Sequence, residues 1–196
     1  MDRSVTSNLT GSIARRWDGS PAAPGELPVE VEVRWSALGA TVLVAAPYFG
    51  DVAPVGPAGQ TWQLWEHEVV EVFLLGPDER YTEIELGPHG HWLVLELHGV
   101  RRVTSRVGGL TAHCQLAGDR WSGSIDVPWS ALPDPIEAWN AYAIHGAAGG
   151  RHHRALFAVP GAQADFHRLG CFQRLAGPVL ASQVRSGQAC PIDSGD

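Results

Sequence analysis

The chain has 196 residues, enough for one substantial core, and its 44% hydrophobic and 18% charged residues make it globular rather than disordered. Its formal net charge is −7, which excludes the broad basic face that binding to a phosphate backbone requires. All 14 basic residues are arginine, so lysine Schiff bases and lysine general bases are excluded as well.

In chain order, residues 1–9 (MDRSVTSNL) read as a tail without the apolar run of a signal peptide. Gly11 to Trp17 reads as a first strand, ended by the turn Asp18-Gly19-Ser20-Pro21. Val29, Val31, Val33 and Trp35 alternate with charged residues, and ATVLVAA (40–46) is a short buried run. The Pro- and Gly-rich stretch 47–60 is a long loop, a feature that in compact domains often serves function.

Leu64 to Leu75 (LWEHEVVEVFLL) is the unusual stretch. Taken as one strand, it sends Trp65, His67, Val69, Glu71 and Phe73 to one face and Glu66, Glu68, Val70, Val72 and Leu74 to the other. The next strand puts Tyr81, Glu83 and Glu85 on one face. A hairpin across Gly76-Pro77-Asp78 would gather His67, Glu71, Glu83 and Glu85 into one patch.

Further strands follow at 91–98, at 100–107 (arginine-studded, an edge), at 110–116 and 120–127, and at 139–144 and 154–159. Phe172 to Leu175 closes the domain, and Pro128 to Leu132 makes one helical turn. The pattern predicts an all-β fold: a two-sheet antiparallel β-sandwich, jelly-roll-like, with about ten strands and minimal helix. The domain spans 10–176, between tails at 1–9 and 177–196. Cys114, Cys171 and Cys190 are widely spaced and form no CxxC, as expected of reduced thiols. No stretch reaches the length of a membrane span, and a cytoplasmic location without membrane partners is expected.

The succession LWEHEVVEVFLL, YTEIELGPHG, WSGSIDVPWSAL, WNAYAIHG, ALFAVP and DFHRLGCF resembles the family 9 carbohydrate-binding module of the DOMON-like β-sandwich group. More closely, 64–172 is similar to an uncharacterised group of small stand-alone proteins with this fold, and the resemblance covers 10–175. It implies a ligand site on a concave sheet face, with sugars held by aromatic stacking and hydrogen bonds. Some DOMON relatives bind haem, but ligation by methionine and lysine is out of reach, since Met1 is the sole methionine and lysine is absent.

Clustered carboxylates in an apolar setting repel one another and raise at least one pKa, as a general acid requires. The candidate catalytic residues are therefore Glu71, His67, Glu83 and His145, with Glu71 favoured over Glu66 and Glu68. The candidate ligand-binding residues are Trp62, Trp65, Tyr81, Glu85, Arg154 and His167; Trp92 is a further stacking candidate. Arg154 is expected inside, paired with Glu71 or clamping an anionic group. Asp165 either holds the His167 ring or caps its loop.

The first functional expectation is a cofactor-independent acid/base lyase of the dehydratase or cyclase type, acting on a small molecule such as a polyketide or other secondary metabolite. The alternative is a carbohydrate-binding module or intracellular sugar or small-ligand binder without catalysis. A third set, His67, Glu71 and His145, would suit a metal-dependent enzyme, although neither metal nor organic cofactor is expected. Exposed edge strands permit a homodimer.

Overall fold

Strong alternation in the first half of the chain and doubly apolar strands in the middle assemble two antiparallel sheets. The computed structural model describes residues 8–147 and 150–186. Residues 1–7 and 187–196, most of the expected N-terminal tail and half of the C-terminal one together with Cys190, lie outside the described residues. The strands are β1 (Leu9–Ile13), β2 (Arg15–Arg16), β3 (Val29–Ser36), β4 (Gly39–Pro47), β5 (Val69–Leu75), β6 (Arg80–Leu86) and β7 (Trp92–His98). They continue with β8 (Val103–Arg106), β9 (Ala112–Ala117), β10 (Arg120–Pro128), β11 (Ile136–His145), β12 (His152–Ala155) and β13 (Gln173–Val179), followed by α1 (Ala181–Arg185). The stretch expected to fray from residue 177 thus begins with the end of β13 and a short helix.

One sheet has the order β1-β3-β4-β10-β9; the other runs β2-β12-β11-β5-β6-β7-β8, with β13 also pairing β11. The arginine-studded segment around β8 is the expected edge, and all four of its residues are exposed. Between the sheets lies a core that includes Val31, Val42, Val72, Leu74, Ile84, Val94, Trp121 and Ile125. Fully burying each large aliphatic side chain there contributes about 1.5–3 kcal/mol.

The larger sheet carries a second apolar layer on its other face, where Phe73, Tyr81, Leu93, Leu95, Leu97 and Tyr142 meet Phe166 and Phe172. The chain after β12 folds back over that face, which explains why β5, β6 and β7 are buried on both sides.

Two expected elements come out differently. Leu64–Glu66 is a 3₁₀ turn entered through Gln63 at φ 61°, so the strand begins only at Val69. The Pro- and Gly-rich approach cannot continue a ladder, and the predicted alternation fails for Trp65 and His67. Likewise the strand expected at 154–159 is displaced to His152–Ala155.

Arg154 is the largest fully buried side chain. It sits opposite Ala143 on β11 and points between the sheets, donating to the Leu27 carbonyl at 2.9 Å and the Ile13 carbonyl at 2.7 Å. It fastens β12 to β1 and to the loop before β3, and faces away from Glu71, contrary to the expected pairing. Arg154→Ala would leave two carbonyls without their donor. It should lower the unfolding free energy in urea by about 3 kcal/mol or more; a loss under about 1 kcal/mol would refute the fastening role.

Candidate functional site

The register of the β5–β6 hairpin decides the site. Glu71 lies directly opposite Glu85, and Phe73 opposite Glu83, so all three glutamates rise from one face. Each can place a carboxylate oxygen within 4.8 Å of the others. The three are 2%, 3% and 0% exposed for Glu71, Glu83 and Glu85 respectively.

No arginine neutralises them directly. Arg101 is paired with Asp165 at 2.7 Å. Arg151 is committed to backbone carbonyls, donating to Trp65 at 2.6 Å, to His67 at 3.2 Å, to Gly146 at 3.3 Å, and to Glu66. Both carboxylate oxygens of Glu85 are buried without a hydrogen-bond partner; the nearby Trp65 N–H offsets only part of that cost.

Electrostatics follow from that burial. Desolvation first, then repulsion from Glu83, holds Glu71 well above the carboxylate range, and Arg151 offsets part of the effect. Desolvation, then Glu71 and Glu83, does the same to Glu85. Burial pushes Glu83 up to about 8 against the pull of Arg101. Burial thus biases these carboxyls toward their protonated form, and a neutral carboxyl both donates and accepts hydrogen bonds.

Glu71 and Glu83 open into a cavity of about 750 Å³. Trp62 and Trp65 form one wall, edge to face at 5.1 Å, with the Arg106 guanidinium 3.7 Å above the Trp62 ring. Phe166, stacked on Tyr142 at 3.9 Å, and His167 form the opposite side. The Arg101 backbone N–H donates to the Tyr81 hydroxyl oxygen at 3.1 Å, and that hydroxyl is hydrogen-bonded to His167 Nδ1 at 2.7 Å. Burial, then the Arg101 charge, lowers His167 to about 4, which keeps its ring neutral. Asp165 accepts the His167 backbone N–H at 3.2 Å, and thus caps the loop instead of holding the imidazole.

Glu71, Glu83, Glu85, Tyr81, His167, Trp62 and Trp65 are therefore brought together at this face, with Tyr81 behind His167 and Glu85 behind Glu71. His67 is not among them, because the 3₁₀ turn leaves its Nδ1 3.3 Å from the Val52 carbonyl. His145 points to the opposite face of β11, stacked on Phe49 with 3.5 Å between centroids. The metal set His67, Glu71 and His145 is accordingly not assembled. Trp92 belongs to the core between the sheets and is no stacking platform.

Arg101 and Arg151 were missed. Alternation along Arg151-His152-His153-Arg154 puts the two arginines on opposite faces, with Arg151 at the cavity and Arg154 buried between the sheets. Glu68, set below Glu71 on sequence grounds, has a structural role: its carboxylate accepts the Phe49 N–H at 3.1 Å and the Asp51 N–H at 3.3 Å, pinning the long loop.

No family model matches the chain. The human UPF0462 protein C4orf33 is 36% identical over 170 residues, covering 82% of this chain and 84% of that protein. The mouse homolog is 38% identical over 166 residues (80% and 85%), and the zebrafish homolog 36% over 170 residues (82% and 85%). Among solved structures, a candidate carbohydrate-binding protein from Bacteroides uniformis superposes with a TM-score of 0.67 at 17% identity, covering 85% of each chain. A family 9 carbohydrate-binding module from Caldicellulosiruptor kristjanssonii in complex with glucose gives 0.45 at 13% identity, covering 75% of this chain and 73% of that one. The Bacteroides likeness bears out the two-sheet sandwich as the fold.

The titration of Glu83 has a measurable consequence. Its ordinary value is 4.5 and its folded value about 8. Between these, the unfolded chain releases a proton that the folded chain keeps, so this group's contribution to stability falls as pH rises and levels off above about pH 8. Glu83→Gln removes that slope. Urea titrations should show the variant gaining on the wild type from pH 4.5 to pH 8. A gap that stays constant would mean that Glu83 is ionised in the fold.

Proposed function

The chain belongs to the UPF0462 family, and from the geometry of its concave face we propose that it binds a small polyhydroxylated ligand of the sugar class. One observation carries this: a cluster of buried carboxyls on the floor of a 750 Å³ cavity walled by tryptophan. A sugar presents hydroxyls that both donate and accept, together with an apolar C–H face. Glu71 and Glu83 match the hydroxyls, Trp62 and Trp65 suit the C–H face, and Arg101 and Arg151 supply fixed positive charge at the walls. The description of the Bacteroides protein with the same fold agrees with this reading.

A second reading rests on one further observation. A carboxyl with its pKa near 8 at an accessible cavity is poised as a general acid near neutral pH. Catalysis would add to binding at the same residues, with Glu83 delivering the proton and Glu71 orienting the reacting group.

Glycan-array screening followed by calorimetry on the free sugar hits tests the first reading. Trp62→Ala should weaken binding about fivefold or more, the equivalent of about 1 kcal/mol of stacking. Glu83→Gln should weaken it by a similar or larger factor. Absence of any sugar hit, or affinity unchanged in both variants, would refute it. NMR of the bound sugar over hours separates the two readings: turnover lost in Glu83→Gln marks catalysis, and an unaltered ligand marks binding alone.

A further inference from the structure

Opposite the acidic cavity, on the other face of β11 and β12, a second group of side chains converges. His145 and His152 are direct partners across the antiparallel ladder, and their side chains share a face. Glu26 reaches them from the loop before β3. Its Oε2 accepts the Ala23 N–H at 3.3 Å, leaving Oε1 directed at the two rings. Oε1 stands 3.3 Å from His145 Nε2 and 3.4 Å from His152 Nδ1.

The contact at His145 does not make a hydrogen bond: its Nε2 is fully buried without a hydrogen-bond partner. His145 is 6% exposed and its ring plane is fixed by Phe49, stacked within 2° of parallel. A buried nitrogen lone pair or N–H left unsatisfied is destabilising, so a fold that aims one at a carboxylate calls for a further partner there.

We propose that Glu26, His145 and His152 form a binding site for a divalent transition-metal ion, Zn²⁺ being the class best suited. Two donors each about 2.1 Å from a tetrahedral ion stand about 3.4 Å apart, which is the spacing seen from Oε1 to each ring. Two imidazoles and one carboxylate are borderline donors that favour Zn²⁺ over Ca²⁺ or Mg²⁺. The Asp51 carboxylate accepts the Gly146 N–H at 2.7 Å, supporting the end of β11 from outside the ligand set. The two rings now lie 21° from parallel with centroids 4.7 Å apart, so closure on an ion requires the half-exposed His152 to turn its edge inward. Glu26 and His152 also border a cavity of about 220 Å³, which leaves room for a fourth ligand such as water.

The glutamate triad on the other face is the only comparable donor cluster among the described residues, and it is all-oxygen. It therefore serves as the internal control. Chelator-treated full-length protein is titrated with Zn²⁺ in a calorimeter. Wild type and Glu83→Gln should each bind one equivalent and gain in melting temperature. Glu26→Gln and His152→Ala, both at positions not needed for the core, should lose affinity by more than the ~10–100-fold that loss of an outer partner costs. Co²⁺ added to the wild type should give the intense visible band of a four-coordinate ion instead of the faint band of the hydrated one. No binding by the wild type, binding retained in either ligand variant, or only the faint Co²⁺ band would overturn the site.

Discussion

Like-charged carboxyls brought together out of water are the constraint around which this fold is arranged. Glu71, Glu83 and Glu85 are set side by side by strand register, with carboxylate oxygens within 4.8 Å of one another. Ionising all three there would require cations within reach, and the two nearest arginines are already engaged elsewhere. Protonation resolves the conflict, and it converts a set of anions into a set of hydrogen-bond donors and acceptors. The chemistry of the cavity follows from the protons, not from the charges.

Keeping water from solvating those acids takes a second apolar layer. The segment after β12 supplies it, laying Phe166 on Tyr142 and Phe172 against Phe73. The same segment carries His167 to the Tyr81 hydroxyl and Asp165 to Arg101, so the cover is held by polar contacts as well as by stacking. On the opposite wall Arg151 gathers the carbonyls of the 3₁₀ turn that carries Trp65. One arginine thus orders the rim while lending its field to Glu71, which explains why its side chain is not spent on an ion pair.

Much of this was legible in the chain. Period-two alternation correctly separated Glu71, Glu83 and Glu85 from Val70, Val72 and Ile84, because that pattern is a direct consequence of strand geometry. The same alternation misled at Trp65 and His67, where Gln63 enters a left-handed conformation that no hydrophobic pattern announces. The Trp65 side chain reaches the cavity by way of a turn, for a reason different from the expected one. His145, expected to be catalytic, and Arg154, expected to bind ligand, lie on the other face, since alternation gives relative facing and not which face meets the other sheet. Glu26 was invisible, because its partners lie more than a hundred residues away and only the closed sandwich unites them.

β11 and β12 then emerge as a partition. On one face Tyr142, Ile144 and His153 look toward the acidic cavity; on the other Ala143, His145, His152 and Arg154 look toward the space between the sheets. Arg151, at the start of β12, holds the Trp65 turn on the cavity side, while the neighbouring His152 meets Glu26 on the other. Two chemically different clusters therefore share one short strand pair, and whatever orders that pair positions both. The link is of the kind that packed elements provide, through one rigid ladder with side chains committed on each face. Arg154 anchors the ladder from within, so the polar residues that the sequence scatters along 145–154 act as the common frame of both sites.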